Sequence, residues 1–230
     1  MRTEIKYGIR DMTWLKILIG LLMTVMIVLS FMTEKPVANF GDEFRIFYYH
    51  VPLAIVSMLA FLVNLIFSVR YIRNRDPLDD IRACSASELG LLMGVLATIS
   101  GSIFARIAWG SFWNWDIRET SFAILLAIYG AYFALRSAVE PGQRKAIFSA
   151  VYSVLAFISV PVFGFIVPRI YNSLHPEDTL ISSGKIALGG TVAVVFVLSL
   201  TAFLLLFVWL FNLRWRSVYL ERFVKERGYE

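Results

Sequence analysis

The chain has 230 residues, of which 58% are hydrophobic and only 17% charged. A soluble domain is nearer half apolar and a quarter charged, and apolar runs of about 20 residues recur here, so the composition excludes an ordinary soluble globular protein and points to several membrane spans. The formal charge of +5 rests on 22 Lys and Arg against 17 Asp and Glu, and the single cysteine, Cys84, excludes an internal disulfide.

In chain order, the first span is expected over 13–32, preceded by Arg2, Lys6 and Arg10. A turn with Pro36 and Asn39 follows. The stretch from Gly41 to Pro52 leads into a second span over 46–69, and Pro52 is expected in its first turn, where the missing N–H goes unused. Residues 71–88 carry Arg73, Arg75, Asp76, Asp79, Asp80 and Arg82 and read as a charged loop. The third span, over 89–108, contains Gly90, Gly94 and Gly101, whose expected role is close helix packing.

Next comes Trp109-Gly110-Ser111-Phe112-Trp113-Asn114-Trp115-Asp116, which holds three of the six tryptophans in seven positions. Its amphipathic composition suits the membrane–water boundary. The spacing of Trp109, Phe112, Trp113 and Asp116 predicts a short helix lying on the membrane, with an aromatic belt as the plainer alternative. Asp116 and Glu119 have the spacing of a capping box, so a fourth span should start near Ile117 and run over 117–135. A fifth span is expected over 146–167 with a kink at Pro161, and a sixth over 186–212 with a basic helical tail. The fold class is therefore an all-α membrane protein: one domain, a six-transmembrane-helix bundle with a short amphipathic segment on its outer face.

Six spans leave both termini on one side. The segments on that side hold sixteen Lys and Arg against six on the other. The positive-inside rule places both termini in the cytoplasm and the tryptophan stretch outside, so the basic charge calls for no nucleic acid.

The two histidines, His50 and His175, both fall on the outer face in this topology. A surface histidine is commonly just solvated. Two imidazoles from separate segments, a tryptophan shelf, and the cations Arg45 and Arg118 together match the needs of haem: axial nitrogens, a flat apolar surface and partners for propionates. A zinc site would need a third or fourth ligand, and no hydrolase or nucleotide-binding motif is present.

Residues 109–121, together with Phe44-Arg45-Ile46-Phe47-Tyr48-Tyr49-His50-Val51-Pro52 and Asn172-Ser173-Leu174-His175, resemble the tryptophan-rich signature of cytochrome c biogenesis proteins. Within that superfamily they are most similar to the six-span CcmC branch, haem exporter protein C. The resemblance implies that His50 and His175 are axial ligands of a transiently bound haem b. It also implies that Trp109, Phe112, Trp113, Trp115 and Asp116 flank the porphyrin, and that Arg45 and Arg118 take its propionates. Phe112 stands where many relatives carry a tryptophan, and Ile170-Tyr171 where they often carry a tryptophan pair. The implied function is haem transfer, without enzymatic chemistry, to the periplasmic chaperone CcmE. The implied partners are the ABC-type subunits CcmA and CcmB and the small protein CcmD, in a bacterial or archaeal cytoplasmic membrane. Two alternatives stand beside it: a haem protein passing electrons to quinone, and a permease subunit for a small solute. Charge-free middles in spans one, five and six count against the permease.

Overall fold

The computed structural model describes residues 12–33, 41–175, 181–182, 185–186, 188 and 190–226. Among them six helices are long and apolar enough to cross a membrane. They are α1 (Thr13–Met32), α2 (Phe47–Asn74), α3 (Pro77–Trp109), α4 (Ile117–Ala138), α5 (Gln143–Ile170) and α6 (Gly190–Glu226). A 3-10 turn, Asp42–Ile46, leads into α2, and β1 (Ile181–Ser182) pairs antiparallel with β2 (Lys185–Ile186) between α5 and α6. The expected turn at Pro36 and Asn39 and the first basic residues lie outside the described residues.

Two features differ from expectation and a third, at Pro161, is given its form, each for a local reason. The charged segment 71–88 is mostly helix. Asp76 caps α3 by accepting from the Leu78 N–H at 2.9 Å, Pro77 occupies the first helical position, and Asp79 and Asp80 favour the positive end of the helix dipole. Pro52 is not in a first turn: α2 begins at Phe47, so Pro52 sits inside the helix and leaves the Tyr48 carbonyl without its usual N–H donor. The fully buried Ser199 hydroxyl of α6 donates to that carbonyl instead. The break at Pro161 is a change of helix type, with a π-helical turn over Val162–Ile166 before the last turn, Val167–Ile170.

Helix α2 is the centre of the bundle and packs against α3, α5 and α6. One core joins Met26 of α1 to Leu53, Val56 and Ala60 of α2, Met93 and Ala97 of α3, and Phe203 and Phe207 of α6. A second surrounds Phe61, whose ring stacks on Tyr129 with centroids 3.5 Å apart. Gly90 lets α3 come this close, since a Cβ there would lie 2.7 Å from the Phe61 ring. Two polar side chains inside the bundle are tied to backbone: Ser57 donates to the Gly90 carbonyl at 2.7 Å, and Asn64 to that of Ala83 at 2.9 Å. The outward faces are apolar, with Ile17, Leu21 and Val28 exposed on α1 and Leu92, Leu96, Ile99 and Ile103 on α3. Such faces suit hydrocarbon rather than water.

The helices alternate in direction, so the start of α2, the end of α3, the start of α4 and the end of α5 meet at one end of the bundle. All the histidines and the tryptophan stretch are there.

Candidate functional site

His50 projects from the first turn of α2 toward α3. Its Nδ1 lies 2.8 Å from the Ala97 carbonyl oxygen and 3.4 Å from the Ser100 hydroxyl. A carbonyl can only accept, so Nδ1 carries a proton, which in the neutral ring leaves the lone pair on Nε2. The ring lies against Gly101, where a Cβ would come within 2.7 Å of Cε1 and 3.1 Å of Nδ1. Sequence reasoning assigned Gly101 to helix packing; its structural role is to make room for this imidazole. Gly101→Ala is expected to displace the His50 ring while leaving the helices inserted. A changed absorption spectrum of any haem bound there, at unchanged expression and oligomer profile, would be the readout.

The tryptophan stretch is not the surface helix that its spacing suggested. α3 ends at Trp109, where Gly110 takes the left-handed conformation (φ 86°) and its N–H returns to the Arg106 carbonyl. Residues 110–116 then run as an irregular loop held by its own polar groups. The Ser111 hydroxyl donates to the Trp113 carbonyl at 3.0 Å, the Asn114 amide to the Ser111 carbonyl at 3.1 Å, and the Asn114 N–H to the Glu119 carboxylate at 2.9 Å. Glu119 therefore reaches back to Asn114 rather than closing a reciprocal capping box, while Asp116 caps α4 by accepting from the Arg118 N–H at 3.3 Å. Arg106 lies over the Phe112 ring and donates to the Gly110 carbonyl. Trp115, itself left-handed (φ 56°), is 79% exposed and meets Trp113 edge to face at 6.1 Å. Phe112 is also exposed.

Asp116 is spent on the segment that carries His175. Its buried carboxylate accepts from the Ser173 hydroxyl at 2.7 and 2.8 Å, the Leu174 N–H at 3.2 Å and His175 Nδ1 at 3.1 Å. Burial pushes its pKa up, but the bonds from Ser173 and His175 and the His175 charge outweigh this, and the carboxyl is held below its ordinary range. Burial lowers the His175 pKa more than Asp116 raises it, and the Arg118 charge lowers it further. The His175 ring is thus neutral near pH 7, with its proton on Nδ1 facing a carboxylate that can only accept. Among the described residues its Nε2 has no hydrogen-bond partner. Trp109 supports the same ring edge to face at 4.8 Å, and Phe104 supports Trp109 at 5.5 Å.

The arginines are engaged differently from one another. Arg45 donates to the Ser30 and Phe31 carbonyls at the end of α1, at 3.1 and 2.9 Å, and to Asp42 at 2.8 Å. It anchors α1 to the 3-10 turn. Arg118 lies in the first turn of α4, close enough to act on His175. The site roles of Ser173 and Gly101 were not visible in the sequence, because each contact crosses about fifty residues and leaves no local pattern. Residues 176–180, which follow His175, lie outside the described residues.

This arrangement can be set beside known proteins. The family model described as "Heme exporter protein C" (CcmC) matches residues 4–229. The chain belongs to the haem exporter protein C family. A relative of that name from Bradyrhizobium diazoefficiens is 34% identical over 80% of this chain and 70% of its own length. Haem exporter protein C of Rhodobacter capsulatus is 28% identical over 83% of this chain and 79% of its own. The Escherichia coli K12 protein of the same name is 25% identical over 72% and 67%.

Proposed function

We propose that this chain is the haem-presenting component of a cytochrome c maturation system. It holds haem b between His50 and His175 at the outer face of the bundle and passes it to the periplasmic chaperone CcmE. It does so beside CcmA, CcmB and CcmD, with ATP hydrolysed by those partners rather than by this chain. The positive-inside bias supports cytoplasmic termini in a bacterial or archaeal inner membrane, with the site outside.

The observation that carries the reading is the pair of Nδ1 contacts. Two imidazoles from separate elements each set Nδ1 against an acceptor, which in the neutral ring keeps Nε2 for a ligand, the arrangement that metal-bound histidines adopt. Among the described residues no group of three His, Cys, Asp or Glu could hold a bare metal ion. Haem iron needs only two protein ligands, because the porphyrin supplies four. The residues present fit that demand. With both axial positions closed, dioxygen would have no free site on the iron. Trp113 and Trp115 give the porphyrin an apolar edge, and Arg45, in the 3-10 turn, and Arg118, in the first turn of α4, are the cations for its propionates.

The test is handover. Protein purified with its haem should lose its Soret absorbance to added CcmE, and a haem that stays bound and cycles between redox states would instead mark a quinone-linked cytochrome. In the same assay, Trp113→Ala with Trp115→Ala should slow handover or weaken retention severalfold. Folding should be spared, because Trp115 contributes little to the core. Wild-type behaviour of the pair would reduce the tryptophans to membrane anchors.

A further inference from the structure

The two histidines are held in different ways. His50 belongs to a 28-residue helix, with its ring seated on Gly101 and its Nδ1 on a backbone carbonyl. Its backbone moves only with α2. His175 lies beyond the end of α5 in a segment without regular structure. Asp116 takes three donors from that segment: the Ser173 hydroxyl, the Leu174 N–H and His175 Nδ1. Ser173 also accepts from the His175 N–H at 3.1 Å, which folds the segment back on itself. Asp116 is in turn fixed to the first turn of α4 through the Arg118 N–H.

We propose that Asp116 and Ser173 form a latch that positions His175 and makes it the detachable member of the histidine pair, while His50 is the permanent one. The proposal rests on the haem reading above and deepens it by naming which side opens. It also reassigns Asp116, expected from the sequence to lie beside the porphyrin, to a place behind the imidazole. The chemistry of the two acceptors differs as well. A carboxylate on Nδ1 gives His175 more anionic character than the Ala97 carbonyl gives His50, so His175 is the stronger donor to a ferric iron for as long as the latch is closed. Opening the latch removes both the position and the donor strength of the same ligand, whereas His50 stays where it is.

The test uses the full chain in detergent or nanodiscs, with Asp116→Asn, Ser173→Ala and Ser173→Thr. Asp116→Asn keeps the shape and one acceptor oxygen, which guards against simple misfolding. Without haem, hydrogen exchange at 171–175 should accelerate in Asp116→Asn and Ser173→Ala, with exchange along α2 unchanged. With haem, both variants should release it to excess apomyoglobin roughly 10–100-fold faster, the usual cost of losing such a supporting partner. The haem midpoint potential should rise in Asp116→Asn, and Ser173→Thr, which keeps the hydroxyl, should behave as wild type. Wild-type exchange and release in Asp116→Asn would overturn the latch, and so would a loosened segment with unchanged haem release. His175→Ala separates the two levels: if it too keeps haem like wild type, the ligand assignment itself fails, whereas rapid loss in His175→Ala with none in Asp116→Asn sinks only the latch.

Discussion

His50→Ala and His175→Ala should each leave the protein inserted in the membrane but without the six-coordinate haem spectrum of the wild type. Removing a residue that merely supports a ligand costs about 10–100-fold in metal affinity, so removal of a ligand should cost more. Neither side chain is important to the fold. His50 is partly exposed at the rim of the bundle, and His175 lies in an irregular segment outside the helical cores. The two variants should differ in one respect. His50→Ala opens a space beside Gly101 within rigid walls, so added imidazole should enter and restore much of the spectrum. His175→Ala also removes a donor from the buried Asp116 carboxylate, so imidazole should restore it less completely. Visible spectra of both variants, with and without imidazole, check this. An unchanged Soret band in both would remove the ligand assignment.

The apolar runs made six helices legible, because every backbone polar group in hydrocarbon must be satisfied within its own segment. The polarity that marks where a span leaves the membrane does not mark where its helix stops. Residues 77–88 and the tail to Glu226 are helical but charged, and Asp76-Pro77 was the local signal that α3 starts early. The tryptophan loop failed as a helix for the opposite reason. Its three- and four-residue spacings are compatible with a helix, but Gly110 ends α3, and Ser111 and Asn114 spend their side chains on loop carbonyls. At the site, the residue types and their common end of the bundle were readable from motif and topology. The Asp116–Ser173–His175 contact and the seating of His50 on Gly101 were not, since both are made only when distant segments pack.

Arg136→Ala should be the most destabilising of the substitutions considered, and should do so without touching the site. Arg136, in the last turn of α4, donates to both oxygens of Asp80 in the first turn of α3, at 2.7 and 3.2 Å, and also to the Tyr132 hydroxyl at 3.4 Å. Both charged side chains are more than 90% buried. Truncating one partner of such a pair leaves the other charge without compensation, at a cost of about 3–5 kcal/mol. Arg222 of α6, 3.8 Å from Asp80 and half exposed, keeps the loss toward the lower end. Replacing both partners with apolar residues, Asp80→Leu with Arg136→Met, should recover most of it, because no charge is then stranded. Thermal unfolding in detergent for the two single variants and the double closes the cycle; additive losses would show that the pair is not coupled. Arg136 lies about 30 Å along α4 from Asp116 at 1.5 Å per residue, at the opposite end of the bundle. The haem spectrum of the folded fraction should therefore match the wild type at low temperature. A spectral change there would mean that α4 transmits strain from its basic end to the carboxylate that holds His175.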